Sequence, residues 1–589
     1  MRETADLIIR GGTIVDGTGA EPFTGDVAIT GGRITAVGEG LAQRGREEID
    51  ARGLLVTPGF VDIHTHYDGQ VTWENRLVPS TSHGVTTALL GNCGVGFAPC
   101  RPADRERLLK LMEGVEDLPE VVLATGLPWN WESFPEYLDA LDARRYDCDI
   151  ATQIPHAALR VFAMGQRAVA REPANAGDCA LMARLAGEAI DAGALGFGTS
   201  RTINHRASDG IPVPTLTAAE DELAAIGAAL GARGRGVLQL VSDFTDLDTE
   251  LPMLRRVVER SGRPLSVSLM QWHHAPDKWR AILAWIDACN ADGLDIKAQV
   301  SGRPIGLNLG FELSFNPFSY TPTFKSLSGL SVAQRREQLQ RPEIRARIVT
   351  ETPESSGFPG EALLRMWAGM YPLGEQPFYE PVAEGSVAGL AARRGVTPQE
   401  MAYDLMLEQD AQAVLMAPTV NFVGNSLDDL LTMMRHPHAI YGLGDGGAHL
   451  GFLCDASLPT YMLQYWVRER RRGERLPLAQ VVHGLTQRTA QAVGLNDRGV
   501  LAPGYKADLN LIDFARLALE PPRVRYDLPA GGRRMVQDAR GYVATIVSGA
   551  VVQREGKPTG ALPGRLVRGE QAVPGQARPV LVTRESYGS

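Results

Sequence analysis

The chain has 589 residues, of which 44% are hydrophobic and 22% charged, as is usual for a globular enzyme. A net charge of −10, without any basic run, argues against nucleic acid as a partner. No apolar segment reaches the roughly 18 residues needed to cross a bilayer, so we expect no membrane association.

The N-terminus and the cysteines indicate the compartment. The first residues have no basic start followed by an apolar core, so the sequence predicts no signal peptide. The six cysteines are scattered without the spacing of a disulfide framework or a zinc finger. We therefore expect a reduced, cytoplasmic protein.

The two ends of the chain share one pattern. Residues 1–57 alternate apolar and polar positions between glycine-rich turns, which predicts short strands and hairpins. The same pattern returns after residue 497. We therefore predict a small β-sandwich domain built from residues 1–57 and 498–555. Residues 556–589, rich in Gly, Pro and Arg, are interpreted as an extended C-terminal tail.

The middle of the chain, residues 58–497, alternates short apolar strands with helical stretches such as 180–192 and 218–232. This rhythm predicts an α/β fold, a (β/α)8 TIM-like barrel. The predicted strands are 61–66, 85–92, 149–154, 194–199, 236–241, 265–271, 295–300 and 439–444.

One stretch interrupts the barrel rhythm. Residues 303–385 contain many Pro, Phe, Tyr and Trp residues. Because loops this long are usually functional or insertions, we interpret the stretch as a lid over the site. Its aromatic part, 311–381, is expected to line part of the substrate pocket and to suit an apolar group.

Three strand ends carry residues that can form a metal site. His64 and His66 are one residue apart, so in a strand both imidazoles point to the same side. Cys93, between glycines, ends the second strand, and Asp445 follows the last one. The carboxyl ends of barrel strands are where barrel enzymes place their chemistry. Together these residues predict a metal-dependent hydrolase.

Each of these residues also has a simpler interpretation. A His-x-His pair in a strand is often structural, a single cysteine in an apolar context is usually core, and Asp before Gly is usually a turn. The order of all four, each after an apolar run, favours the metal site over these alternatives.

Several blocks of the chain resemble the amidohydrolase superfamily, in particular its N-acyl-D-amino-acid deacylase (D-aminoacylase) branch. The resemblance spans nearly the whole chain, and this protein is similar to a divergent, longer subgroup. The matching blocks are Pro58–His66, Gly91–Gly94, Met112–Glu116, Pro128–Glu132, His156–Arg160, Met164–Gly165 and Asp497–Asp508.

The resemblance implies a barrel with a β-sandwich, zinc at the strand ends and hydrolysis of an amide. It implies that His64, His66 and Cys93 bind the metal and that Asp445 is the general base. Many relatives outside this branch use a carboxylated lysine on strand four. Here residues 193–201 contain no lysine, and the Cys93 thiolate is the natural substitute.

The chain departs from the branch at strands five and six, where relatives carry metal-binding histidines. His273 and its neighbour His274 lie a few residues late, and Gln239, Gln271 and Asp243 are weaker candidates. Gln is a poor zinc ligand beside His. We therefore expect one tightly bound Zn²⁺, with a second site left open.

The expected reaction cleaves an N-acyl-D-amino acid to a carboxylate and the free D-amino acid. Zinc lowers the pKa of water to about 7, and Asp445 relays its proton to the leaving nitrogen. His156, His205 and His449 are candidates to hydrogen-bond the tetrahedral intermediate, and His273 is a further candidate to contact the substrate or this intermediate. The guanidinium of Arg201 or of Arg303 is a candidate to bind the substrate carboxylate through two parallel hydrogen bonds, an arrangement called an arginine fork.

Other functions remain open at this stage. A second possible amidohydrolase function is hydrolysis of another N-acyl amide or of a cyclic amide such as a hydantoin. A function of a different class is non-catalytic binding by a degenerate barrel, which the missing histidines suggest. The sequence is compatible with a homo-oligomer but does not determine the oligomeric state.

Overall fold

The computed structural model describes residues 4–355 and 360–576. Every predicted barrel strand is present, within a few residues of its expected bounds. The eight strands are Phe60–Asp62, Val85–Leu90, Asp149–Thr152 continued by Ile154–Pro155, Gly196–Arg201, Val237–Ser242, Leu265–Leu269, Ile296–Val300 and Ala439–Tyr441.

These strands form a closed parallel barrel. The first three pair in one sheet, and the third continues as Ile154–Pro155 into a second sheet that runs to Ala439–Tyr441. The seam between first and last strands is closed by two backbone hydrogen bonds. Asp445 N donates to His64 O (2.9 Å), and His66 N donates to Gly446 O (2.7 Å). The predicted (β/α)8 fold is confirmed.

Helices cover the outside of the barrel. The predicted helices 180–192 and 218–232 occur as Ala176–Ala192 and Glu220–Gly231. The first begins four residues early because Asn175 and Asp178 form a capping box. The longer helices following the other strands are Arg105–Glu116, Phe134–Asp142, His156–Met164, Leu247–Ser261, Lys278–Ala291, Asp428–Arg435 and Leu478–Leu485.

Both chain ends contribute to one nine-stranded sheet. Its centre is the antiparallel pairing of Leu55–Pro58 with Leu509–Ile512, which joins the two ends. The other strands are Ala5–Ile14, Phe23–Thr30, Arg33–Gly38, Gly45–Asp50, Tyr542–Val547, Ala550–Arg554 and Lys557–Pro558. The sheet has its own apolar core, which includes Ile9, Val56 and Leu511. The predicted β domain from both termini is therefore present, and its exact boundaries stay a prediction.

An insertion lies between the seventh and eighth barrel strands. It has a small sheet of Ile305–Leu309, Tyr371–Pro372 and Leu415–Val420. Its helices are Pro322–Ser326, Val332–Leu339, Pro342–Thr350, Val387–Arg394 and Pro398–Ala411. The lid role of 303–385 stays a prediction, and residues 356–359 of it lie outside the described residues.

The aromatic residues of the insertion pack largely against one another. Phe311 lies 5.1 Å from Tyr403 between ring centroids, and Phe318 lies 5.6 Å from Tyr403. All three are buried in a hydrophobic core separate from that of the barrel. The expectation that 311–381 lines the pocket is therefore wrong for Phe311 and Phe318, because a segment this long needs a core of its own.

The segment after the β domain runs back along the barrel. Gly564 and Leu566 form β-bridges with Tyr146 and Ile150, and Gln571 forms one with Leu495. Residues 577–589 of the predicted tail lie outside the described residues. Among the helices of residues 4–355 and 360–576, none combines the length and the apolar character needed to cross a membrane.

A buried ion network ties the barrel to the segment that enters the C-terminal β strands. Arg498 donates to Asp149 (2.8 Å) on the third barrel strand and to Asp497 (2.9 Å). Lys506 also contacts Asp149, at 3.0 Å. All these side chains are largely buried, so removing Arg498 leaves the Asp149 and Asp497 carboxylates with less compensation in a low-dielectric environment.

We expect Arg498→Met to lower the free energy of unfolding by about 3 kcal/mol or more, because Asp149 then loses a buried partner. Urea unfolding curves measure the change. Arg554→Met is the matched control, since Arg554 pairs with Glu47 on the surface and should cost less than about 1 kcal/mol. Equal losses in the two variants would contradict a structural role for the network.

Candidate metal centre

His64 and His66 lie just beyond the first barrel strand, at its carboxyl end. The regular strand ends at Asp62, but extended backbone continues through Thr65, which bridges to Gly446. The two imidazoles are fully buried, and their Nε2 atoms lie 3.3 Å (His64) and 3.6 Å (His66) from Asp445 Oδ1. The expected convergence of both rings on one point is present in the structure.

Cys93 reaches the same point from the second strand. Its Sγ lies 3.3 Å from His64 Nε2. Its backbone has a φ of 53°, a left-handed conformation that is uncommon for non-glycine residues. Gly91 precedes it with a φ of 80°, and a Cβ there would lie 2.1 Å from the Gln153 carbonyl oxygen. The tight turn that presents the sulfur therefore requires glycine at position 91.

The three side chains form a compact donor set. One ligand atom each from His64, His66 and Cys93 lies within 4.8 Å of the others. Within residues 4–355 and 360–576, this is the one cluster of three or more His, Cys, Asp or Glu side chains with that property. Two imidazole nitrogens and one sulfur, all buried, are a donor set that zinc accepts.

The two ligands differ in protonation state: His64 is already neutral, whereas the Cys93 thiol must lose its proton when a cation binds. Burial lowers the pKa of His64 to about 4, so its ring is neutral at pH 7. Its Nδ1 is held by Gln299 Oε1 at 2.8 Å, which leaves Nε2 facing Cys93. Burial raises the pKa of the Cys93 thiol to about 11, an effect that a cation beside the sulfur opposes.

His66 lies among anionic groups. Burial alone lowers its pKa, but the Glu116 carboxylate and the neighbouring Asp445 and Cys93 outweigh burial and raise the pKa well above its usual value. Its Nδ1 lies 3.3 Å from Glu116 Oε1. The surrounding charges therefore favour a positive charge here, whether a proton or a metal ion.

Asp445 follows the last barrel strand and faces both histidines. Burial alone raises its pKa, but the contacts with His66 and His64 dominate and hold it below its ordinary value. The carboxyl is therefore ionised at neutral pH. Its φ of 45° is again left-handed, and Gly444 before it packs against Asp62, where a Cβ would lie 2.7 Å from Oδ2.

Two of the other predicted site residues lie close to this group. Burial and repulsion from His449 and His66 lower the pKa of His205 to about 3, and its Nδ1 contacts Ser200 Oγ at 2.9 Å. Burial lowers the pKa of His449 to about 4. Its Nε2 lies 3.6 Å from Glu116 Oε2. Both rings are neutral at pH 7 and can donate hydrogen bonds.

Two of the predicted substrate or oxyanion contacts lie apart from the cluster. His156 uses both ring nitrogens, with Glu222 Oε1 at 2.9 Å and Thr199 Oγ1 at 2.8 Å. It is therefore occupied as a buried structural residue. The sixth strand ends at Leu269, and His273 lies beyond it with an exposed side chain. It is therefore not part of the cluster.

The predicted arginine forks are also occupied. Arg201 pairs with Glu250 at 3.0 Å and donates to the Ala218 carbonyl at 2.6 Å. Arg303 is buried against Asp455 and donates to Ser457 Oγ at 2.7 Å. Because each guanidinium already has a carboxylate partner, neither is a free anchor for a substrate carboxylate.

The weaker candidates on strands five and six have other partners as well. Gln239 Oε1 accepts from the Cys93 amide at 2.9 Å, so it supports the sulfur turn. Gln271 donates to Asp429 Oδ2 at 2.6 Å. Asp243 accepts from the amide of Ile203 at 2.7 Å.

Sequence reasoning missed two side chains that contact the histidines. Gln299 lies within the predicted seventh strand, and Glu116 lies within the block 112–116 that carries the family resemblance. An acidic residue at a buried helix position was the available indication for Glu116, and nothing local distinguished Gln299.

Comparison with known proteins agrees with this architecture. An N-acyl-D-aspartate deacylase of Alcaligenes xylosoxydans xylosoxydans is 28% identical over 573 residues, covering 97% of this chain and 96% of the relative. An N-acyl-D-glutamate deacylase of the same organism is 27% identical over 584 residues, covering 98% and 99%.

A solved structure shows the same fold. The N-acyl-D-glutamate deacylase from Bordetella bronchiseptica, crystallised with zinc and a phosphonate inhibitor, superposes with a TM-score of 0.61 at 24% identity. The match covers 96% of this chain and all of that one. The sequence profile described as "Amidohydrolase family" matches residues 47–553. Since that match spans most of the chain, the protein belongs to the amidohydrolase family.

Proposed function

We propose that this protein is a zinc-dependent amidohydrolase that cleaves N-acyl-D-amino acids to a carboxylate and the free D-amino acid. The observation that carries the proposal is the convergence of His64, His66 and Cys93 beside the ionised Asp445. The full-length similarity to deacylases of N-acyl-D-aspartate and N-acyl-D-glutamate supports the substrate class.

The donor set supports one zinc ion, held by His64, His66 and Cys93. No side chain from strands five or six joins the cluster among the described residues, and Gln239 is used to support Cys93. When bound, zinc supplies Lewis acidity, which polarises a carbonyl and makes water nucleophilic near neutral pH.

Asp445 is suited to move the proton of the reaction. Its carboxylate is ionised, buried and directed at the metal-ligand pair. It accepts a proton from the attacking water at Oδ1 and returns it to the departing nitrogen, so the amine leaves neutral. A general base must lie within hydrogen-bonding reach of the proton it removes, and among the described residues Asp445 is the carboxylate within 4 Å of both histidines.

His205 and His449 are suited to stabilise the oxygen that becomes negative. Both rings are neutral at pH 7, because burial lowers the pKa of each. Neutral imidazole N–H groups in a water-poor site are effective donors to an oxyanion. The serine Ser200 fixes the ring of His205 through its Nδ1.

A second substrate class has a specific observation in its favour. Because Arg201 and Arg303 are both paired with carboxylates, neither predicted fork is free for the carboxylate of an acyl amino acid. A linear amide without that carboxylate is therefore the alternative substrate.

The six cysteines are all free thiols, which supports our proposal of a reducing, cytoplasmic location.

Cys93→Ala should lose bound zinc and activity together while the fold is kept, because a strong thiolate ligand is removed. Metal analysis of the purified protein measures zinc per chain, and circular dichroism reports the fold. Cys179→Ala is the control, since this thiol lies on an outer helix. A Cys93→Ala protein with full zinc content and full activity would contradict the assignment of Cys93 as a zinc ligand.

Asp445→Asn keeps the shape of the side chain but cannot accept the proton. We expect kcat to fall by roughly 10² or more while the zinc content is unchanged. Steady-state kinetics with matched metal analysis tests this. Essentially unchanged activity would mean that Asp445 is not the base.

A substrate panel separates the two classes. The panel contains N-acetyl-D- and N-acetyl-L-amino acids, larger N-acyl amides, an amide lacking the carboxylate and a hydantoin, each with added Zn²⁺. We expect turnover of the D-series. Preference for the L-series, or turnover of the hydantoin alone, would reject the deacylase proposal and leave the metal-hydrolase proposal standing.

A further inference from the structure

The C-terminal end of helix Arg105–Glu116 contacts the loop that carries His205. A Cβ on Gly114 would lie 2.2 Å from the Arg206 carbonyl oxygen, so the helix packs directly on that backbone. The Ser208 amide also donates to the Lys110 carbonyl at 2.9 Å. The helix end therefore fixes the backbone next to His205.

The same helix end fixes the loop that carries His449. The His449 amide donates to the Glu116 carbonyl at 2.5 Å. The Gly451 amide donates to Asp117 Oδ2 at 2.8 Å, and Asp117 ends the helix with a left-handed φ of 52°. Two consecutive residues at the end of one helix thus hold the loop that follows Asp445.

The side chain of Glu116 lies between two histidines. It is 1% exposed. Its Oε1 is 3.3 Å from His66 Nδ1, and its Oε2 is 3.6 Å from His449 Nε2. Across residues 4–355 and 360–576, the basic side chains with a nitrogen within 4 Å of the Glu116 carboxylate are these two rings and include no arginine or lysine. A carboxylate this deeply buried is costly unless neighbouring groups compensate it, and the two rings are the groups placed to do so, His66 by charge and the neutral His449 as a polar contact.

The second ring nitrogens of the two proposed histidine ligands face different groups. His64 Nδ1 is hydrogen-bonded to Gln299 Oε1 at 2.8 Å, whereas His66 Nδ1 has no hydrogen-bond partner among the described residues and faces the Glu116 carboxylate, with Oε1 at 3.3 Å. Metal-binding histidines generally give their second ring N–H to such a group, which fixes the tautomer and the ring orientation. A carboxylate is the stronger acceptor of the two and also raises the basicity of the ring that it contacts.

We propose that Glu116 is a positioning residue that orients His66 as a zinc ligand and holds His449 toward the substrate. This inference rests on the proposed zinc amidohydrolase function. One carboxylate thereby couples the metal-binding strand to the loop after strand eight. Glu116 itself is not part of the cluster whose ligand atoms converge.

Glu116→Gln tests the contact with His66, because it keeps the size of the side chain and removes its charge. We expect the zinc dissociation constant, measured by competition with a chelator, to rise about 10- to 100-fold. The visible spectrum of the cobalt-substituted protein should also change, since it reports the geometry of the ligand rings. Glu106→Gln is the control, because Glu106 lies exposed on the same helix and pairs with Lys110.

The contact with His449 has a separate test. With zinc saturating, Glu116→Gln, His449→Gln and the double variant are compared by kcat/KM. If Glu116 acts through His449, the double variant should be no worse than the poorer single variant. If the losses of kcat/KM in the two single variants multiply in the double variant, the proposed action of Glu116 through His449 is overturned.

Glu116→Asp covers the case in which the Gln variant does not fold. It keeps the charge and shortens the reach, so weaker zinc binding and an altered cobalt spectrum are again expected. Wild-type zinc affinity and an unchanged spectrum in a folded variant would overturn the proposal. If the wild type hydrolyses no N-acyl-D-amino acid, the proposed function fails, yet the zinc measurements still decide whether Glu116 positions His66.

Discussion

The hydrogen bonds that close the barrel between its first and last strands determine the geometry of the site. Asp445 N donates to His64 O, and His66 N donates to Gly446 O. The backbone that completes the barrel is therefore the backbone that carries both imidazoles and the carboxylate. As a result Asp445 Oδ1 lies 3.3 and 3.6 Å from the two Nε2 atoms without any flexible segment between them. A site on such closely tied strands is held more precisely than one on loops.

Backbone strain accumulates around the same point. Cys93, Asp445 and His449 have φ values of 53°, 45° and 51°. Non-glycine residues in this region cost on the order of 1–3 kcal/mol each and persist where the surrounding structure fixes them. Glycine at position 91 and the contacts of the helix end at Glu116 supply that constraint here. The strain is consistent with selection for placement of these side chains rather than for stability.

The barrel and its four central residues could be predicted because their patterns are local. Apolar runs locate the strands, and a period of two places His64 and His66 on one side. Glu116 could not be placed, since its helix lies outside the strand ends and only packing brings it to His66. Arg201 and Arg303 were misjudged as free for the same reason. Their carboxylate partners lie 49 and 152 residues away in sequence.

The central claim is that a zinc ion is bound by two histidines and the Cys93 thiolate. X-ray absorption at the zinc edge of the metal-loaded wild type tests it most directly, because sulfur and nitrogen or oxygen ligands scatter differently. We predict one sulfur at about 2.3 Å together with nitrogen or oxygen ligands at about 2.0–2.2 Å. A spectrum fitted by nitrogen and oxygen ligands alone, without sulfur, would contradict it.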